Sequence, residues 1–191
     1  MQPKAIINLK SFSHNIHYIK SIINHDTNIM PVIKANAYGH GYREIVEVLI
    51  QENIHFVCVA TINEVNQILE LNSNINILHM GRICLDRIEI YACNNIVATI
   101  NSKDDVTMIN KLKIGKIRCH IKVDTGMNRM GCSLNELDSI IDASMQSDYI
   151  KLEGIYSHLA SSYNIESKHN KFQINNFNDI IIKYKKNFFY F

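Results

Sequence analysis

No tryptophan occurs among the 191 residues, prolines number only two, and the formal net charge is +2. So small a charge gives no case for nucleic acid or an anionic membrane as a partner. Lys183, Lys185 and Lys186 read as the solvated face of a helix rather than a binding patch. No apolar run approaches the ~18 uninterrupted residues that a membrane-spanning helix needs. The start, Met-Gln-Pro-Lys, leads into a short alternating segment and has no signal-peptide pattern. The five cysteines (Cys58, Cys84, Cys93, Cys119, Cys132) are odd in number and scattered, with no Cys-x-x-Cys pair. That argues against a disulfide framework or a zinc site and points to a reducing cytoplasm. His14 and His17 can share a helix face, but no third ligand lies nearby and no His-Glu-x-x-His occurs. The abundance of Asn and Ile reads as biased base composition in the gene.

What is present is an ordinary globular composition, 47% hydrophobic and 20% charged, in a chain long enough for one domain with a substantial core. Strand-like and helix-like segments alternate. Phe12, Ile16, Ile19 and Ile23 fall on one helix face, and the apolar run 29–33 reads as a buried strand containing Pro31. Further strands are expected at 55–60, 75–80, 96–100, 117–123 and 152–156. Helices are expected around 45–49, 64–69, 86–93, 105–112 and 137–141, with a last one marked by Phe177, Ile180, Ile181 and Tyr184. Thr61 with Glu64, and Ser133 with Glu136, have the spacing of capping boxes.

Continuous apolar strands alternating with amphipathic helices indicate a parallel sheet covered by helices, an α/β fold. An open doubly wound sheet lacks support, because its Gly-x-Gly-x-x-Gly turn is missing. The polar residues of interest follow several different strands: Lys34 the first, Arg129 the fifth, His158 the sixth. Catalytic groups drawn from many strand ends favour a barrel, although a complete (β/α)8 barrel needs eight strands and about 250 residues.

Three stretches carry chemistry. Pro31-Val-Ile-Lys-Ala-Asn-Ala-Tyr-Gly-His-Gly41 puts Lys34 where an apolar run opens into a polar, glycine-bearing loop. An amine withdrawn from water gives up its proton more readily and can form a Schiff base with an aldehyde cofactor. On position alone, a strand-end lysine is more often a snorkelling side chain. Ile121-Lys-Val-Asp-Thr-Gly-Met-Asn-Arg-Met-Gly131 is a strand end followed by a loop displaying the Arg129 guanidinium. Arginine holds carboxylates by paired hydrogen bonds, and its commonplace alternative is a surface salt bridge. Glu153-Gly-Ile-Tyr-Ser-His-Leu-Ala160 ends in His158; a lone strand-end histidine is usually a satisfied polar residue.

In this order and with this spacing, the three stretches resemble the motifs of alanine racemases over nearly the whole chain. Val-Ile-Lys-Ala-Asn-Ala-Tyr-Gly-His-Gly is similar to the family's pyridoxal 5'-phosphate motif residue for residue. Its Ala-Tyr-Gly-His-Gly part separates it from the shorter Lys-Ala-Asn core of barrel-type decarboxylases. The resemblance implies that Lys34 bears the cofactor and is the base on the D-alanine face, and that Tyr38 hydrogen-bonds the cofactor phosphate. It implies that Arg129 faces the substrate carboxylate and the phenolic oxygen, and that His158 lies beside the cofactor ring. Lys122 matches a supporting lysine that some members carbamylate. The implied activity is interconversion of L- and D-alanine, supplying D-alanine for peptidoglycan.

The implied fold is a (β/α)8 TIM-type barrel truncated after about six β/α units, with residues 1–191 as a partial N-terminal cofactor-binding barrel. Family members continue with a His-x-x-Asn-Ser phosphate segment, an arginine for the pyridine nitrogen, and a C-terminal β domain. That domain supplies a second-base tyrosine to the partner subunit of a homodimer. None of these can be located, and 185–191, Lys-Lys-Asn-Phe-Phe-Tyr-Phe, does not resemble the family. With one base, the isolated chain is expected to be inactive beyond slow proton exchange on the Lys34 side. A non-catalytic cofactor-binding protein and a decayed gene product are the alternatives.

Overall fold

The computed structural model describes residues 4–93, 95–164 and 166–185; all but Lys185 of the C-terminal stretch 185–191 singled out above lies outside them. The chain divides between Gly81 and Arg82 into two compact units.

In the first unit, helix α1 (Leu9–Ile22) starts on Asn8, whose side chain accepts from the Ser11 N–H at 3.1 Å. The expected apolar face is only partly used: Ile16 is buried, but Ile19 is 41% exposed. Polar contacts fasten α1 instead. Glu52 accepts from the Ser13 hydroxyl and pairs with His17 Nε2 at 2.7 Å, while Lys20 Nζ donates to the Glu52 carbonyl at 2.6 Å.

The run 29–33 is not the full strand its composition suggests. It forms one isolated parallel bridge, Val32 to Cys58, with the Cys58 N–H donating to the Pro31 carbonyl and the Ile33 N–H to the Cys58 carbonyl. Pro31 has no N–H to extend a ladder, and the chain leaves the extended region at once. It enters α2 (Lys34–Tyr38) and then α3 (Tyr42–Gln51), which buries Ile45, Val46, Val48 and Leu49.

Strand β1 (Phe56–Val59) follows, then α4 (Ile62–Leu71) and β2 (Asn76–His79). β1 and β2 pair in parallel, Phe56 against Asn76 through Val59 against His79. Val57, Val59 and Ile77 are wholly buried, as expected of a parallel sheet covered on both faces.

The second unit opens with a 3₁₀ helix, Leu85–Ala92, broken at Arg87, where an α-helix was expected over 86–93. Then come β3 (Ile96–Ile100), α5 (Lys103–Leu112), β4 (Ile117–Lys122), α6 (Leu134–Met145), β5 (Ile150–Tyr156) and α7 (Lys168–Tyr184). β3 pairs with β4 and β4 with β5, both in parallel. The β4–β5 register slips between Cys119 and His120, which face Leu152 and Gly154. A Cβ on Gly154 would lie 3.1–3.3 Å from the His120 imidazole, so the missing side chain leaves room for that ring.

Among the described residues, five strands plus the Val32–Cys58 bridge therefore stand where six strands were expected. Every residue of β3 is buried, and Ile117, Cys119 and Ile121 fill alternate positions of β4. Each fully buried isoleucine contributes about 1.5–3 kcal/mol of transfer free energy, which fixes the strands whose C-terminal ends carry the polar loops.

Candidate active site

Lys34 is half-buried rather than fully enclosed, and it opens an unusual turn. Ala35 (φ 50°, ψ 52°), Asn36 (56°, 46°) and Ala37 (53°, 47°) are all left-handed, and Tyr38 follows at φ 53°. L-residues in a left-handed helix cost roughly 1–2 kcal/mol each, so α2 persists only because its surroundings hold it. Gly39 and Gly41 continue at φ 82° and 90°, a conformation glycine adopts freely. The Gly39 N–H donates to the Ala35 carbonyl at 3.0 Å and the Gly41 N–H to the Asn36 carbonyl at 3.0 Å. Asn36 Oδ1 accepts from the Tyr42 N–H at 2.9 Å, tying the turn to the start of α3. Glu64 Oε1 accepts from the Ala35 N–H at 2.7 Å. The outcome is an amine displayed beside an exposed phenol: Lys34 Nζ lies 5.8 Å from the Tyr38 ring centre, and Tyr38 is 60% exposed.

In the second unit, Lys122 ends β4 and is only 7% exposed, with Nζ 4.6 Å over the Tyr156 ring. Burial, then the nearby Arg129 charge, pull its pKa below the usual lysine value, against an opposing effect of Asp124. The loop that follows is closed at its base. The Asp124 N–H donates to the Cys132 carbonyl and the Cys132 N–H to the Lys122 carbonyl, both at 2.9 Å. Asp124 Oδ1 accepts from the Gly126 and Asn128 N–H groups at 2.8 and 3.1 Å. Burial raises the pKa of that carboxyl, but the loop N–H groups and Lys122 outweigh it and hold it low. Arg129 is thereby presented, exposed, at the tip of a braced loop.

His158 is exposed on the segment after β5. Lys122, Arg129 and His158 line one depression together with Met127 and Ser157. A hydrogen-bond chain ties the two loops. Ser157 Oγ donates to the Val123 carbonyl at 2.8 Å, so its 2.8 Å contact with Thr125 Oγ1 is donated by the threonine. Thr125 in turn accepts from Gln173 Nε2 at 3.3 Å. Gln173, wholly buried on α7, also donates to the His158 carbonyl at 2.9 Å and accepts from the Ala160 N–H at 2.9 Å.

A protein-family model described as "Alanine racemase, N-terminal domain" matches residues 7–190. The chain belongs to the alanine racemase family. This is a pyridoxal phosphate-dependent family. An amino-acid racemase from Enterococcus faecalis is 40% identical over 162 residues, covering 85% of this chain and 23% of that protein. The alanine racemase of Francisella tularensis subsp. mediasiatica is 34% identical over 183 residues, covering 94% of this chain and 49% of that one. The solved alanine racemase of Clostridium difficile 630 superposes with a TM-score of 0.85 at 30% identity, covering 94% of this chain and 48% of that one. The chain thus has the TIM-barrel fold of the alanine racemase N-terminal domain and spans about half or less of the length of these relatives.

Two residues that brace these stretches escaped the reading of the motifs. Glu64 was legible as a helix cap, but its second oxygen reaches a segment 29 residues earlier, which no local spacing reveals. Gln173 did leave a signal. Asn170, Gln173, Phe177, Ile180 and Tyr184 follow one helix stripe, and four of them are buried, so two amides interrupt an otherwise apolar face. Among the described residues, no helix is long and apolar enough to cross a membrane, and no cluster of three or more His, Cys, Asp or Glu could hold a metal ion.

Proposed function

We propose that this chain is the cofactor-binding barrel part of a cytoplasmic amino-acid racemase that interconverts L- and D-alanine with pyridoxal 5'-phosphate and supplies D-alanine for peptidoglycan. The observation that carries the reading is the left-handed turn behind Lys34, a costly conformation whose effect is to display one amine. The residues fit the cofactor: a half-buried primary amine for its aldehyde, and a cationic pair, Lys122 and Arg129, for anionic oxygens. When bound, the cofactor supplies the electron sink for the charge left on the substrate Cα after proton removal.

In this reading Lys34 Nζ takes the Cα proton on the D-alanine face and returns it there. Arg129 holds the substrate carboxylate through its paired N–H donors. Lys122 stands beside Arg129 as its supporting residue, its pKa lowered by burial and by that guanidinium's charge. Tyr38 and His158 are the further residues that would hold the cofactor, the phenol towards its phosphate and the imidazole towards its ring. A homodimer and a C-terminal β domain, carrying the opposite-face base, belong to the same proposal.

The deciding experiment incubates the full chain with pyridoxal phosphate, reduces with borohydride and locates the label by mass spectrometry. Condensation of the amine with the aldehyde releases water, and reduction leaves a stable secondary amine. The expected label is on Lys34 and is lost in Lys34→Ala. Equal labelling of both proteins, spread over surface lysines, would overturn the reading.

A further inference from the structure

Three helices begin with the same device, and one of the three differs in reach. α4, α5 and α6 each open on a Ser or Thr cap with an acidic residue at the third helical position bonding back to the cap N–H, and in α4 and α5 the cap side chain also accepts from the third helical N–H. In α5 the acid is Asp105, whose Oδ2 accepts from the Asn101 and Ser102 N–H groups at 2.8 and 3.0 Å. In α6 it is Glu136, whose Oε2 accepts from the Ser133 N–H at 3.1 Å. In α4, Glu64 Oε2 makes the same bonds, to the Ala60 and Thr61 N–H groups at 2.9 Å each. Asp105 shows that one aspartate is long enough for this task. The extra methylene of Glu64 carries its other oxygen, Oε1, to the Ala35 N–H at 2.7 Å.

That N–H belongs to the peptide joining Lys34 to the first residue of the left-handed turn. We propose that Glu64 is the positioning residue of the cofactor amine: it clamps the Lys34–Ala35 peptide against the cap of α4 and so fixes the direction in which Lys34 leaves the backbone. The chain enters the turn at Ala35 with φ 50°, where a residue with a Cβ is strained. A charged acceptor on this N–H is about twice as strong as a neutral one and offsets part of that strain. Burial alone would raise the Glu64 carboxyl's pKa, yet the N–H donors hold it below the usual carboxylate range, so the clamp stays ionised at neutral pH. The inference rests on the reading of Lys34 as the cofactor-bearing amine, but its geometric half is measurable without cofactor.

The test compares wild type, Glu64→Asp and Thr61→Ala as full chains. Glu64→Asp keeps the charge and, by the example of Asp105, the helix cap, but is too short to hold Ala35. Thr61→Ala weakens the cap and leaves the clamp. Amide hydrogen exchange at Ala35 and the rate of borohydride-trapped pyridoxal phosphate loading on Lys34 are measured for each. In Glu64→Asp, Ala35 exchange is expected to rise and Lys34 loading to fall, each about tenfold, the scale of one charge-assisted hydrogen bond. Thr61→Ala is expected to stay within about twofold in both, despite a comparable loss of thermal stability.

Glu64→Asp behaving as wild type in exchange and loading would overturn the inference, as would Thr61→Ala matching it in both. If wild type does not load Lys34 while Ala35 exchange still rises in Glu64→Asp alone, the cofactor reading fails and the clamp stands.

Discussion

The Lys34 turn and the Arg129 loop present their cations by opposite means. The first bends four consecutive non-glycine residues into a left-handed helix and holds them with one carboxylate and one asparagine side chain from outside the ladder. The second keeps most residues in ordinary conformations, places Gly126, Asn128 and Gly131 where φ is positive, and pins its base with a backbone bridge. One buried amide on α7, Gln173, then ties it to the His158 segment. Strain held by a few anchors makes a short, local device. A satisfied polar network makes a larger one whose loss is more costly, because buried donors and acceptors are orphaned.

The sharpest way to break that contrast is Gln173→Leu. It removes the acceptor of the Ala160 N–H and a donor to each of the His158 carbonyl and Thr125, and leaves a buried site without its amide. A loss of about 3 kcal/mol is expected in urea denaturation; a loss under about 1 kcal/mol would mean the network is incidental.

Next in size is a glycine from each region. A Cβ on Gly131 would meet the Lys122 carbonyl at 2.9 Å and the Asp124 N at 3.0 Å, whereas one on Gly39 meets nothing within 4 Å. Gly131→Ala is therefore expected to cost about 2–3 kcal/mol, combining backbone strain with a clash against fixed atoms. Gly39→Ala should cost only about 1 kcal/mol, the strain alone. Thermal unfolding that ranks them in reverse would refute the account.

Acid should separate the regions too. Burial depresses the His120 pKa to about 4 from 6.5, with Glu153 opposing the shift and Arg118 adding to it. The group is neutral in the fold and protonates more readily when unfolded, so its contribution is complete above about pH 6.5 and is lost as pH falls towards 4. The expected slope is up to about 1.4 kcal/mol per pH unit in that window, flattened in His120→Gln. Glu64, whose pKa is lowered from 4.5, contributes stability above that value and loses it only as pH falls further. Ala35 amide protection should therefore hold through the window in which stability declines; its loss near pH 6 would overturn the assignment.

The smallest effect runs against habit. Ala35→Gly, at an exposed left-handed position, is expected to stabilise by up to about 1 kcal/mol through relief of strain. A destabilised variant would show that the turn is not strained there.

The sequence by itself determined the alternation of elements, two capping boxes and the family. Each is encoded locally: apolar period, cap spacing and short contiguous motifs survive without tertiary context. Strands at 56–59, 76–79, 96–100, 117–122 and 150–156 were legible for that reason. Where the local pattern misled, a long-range constraint had won. Pro31 and the turn behind it cut an apolar run down to a bridge, and Glu52 held α1 where Ile19 did not. Only the tertiary structure decided that Ala35 to Tyr38 are left-handed, that Glu64 reaches back to Ala35, and that Gln173 joins two loops. Each depends on atoms brought together from 13 to 48 residues apart. A hydrogen bond of that kind leaves no period in the chain, because its partners are chosen by the packing and not by their spacing.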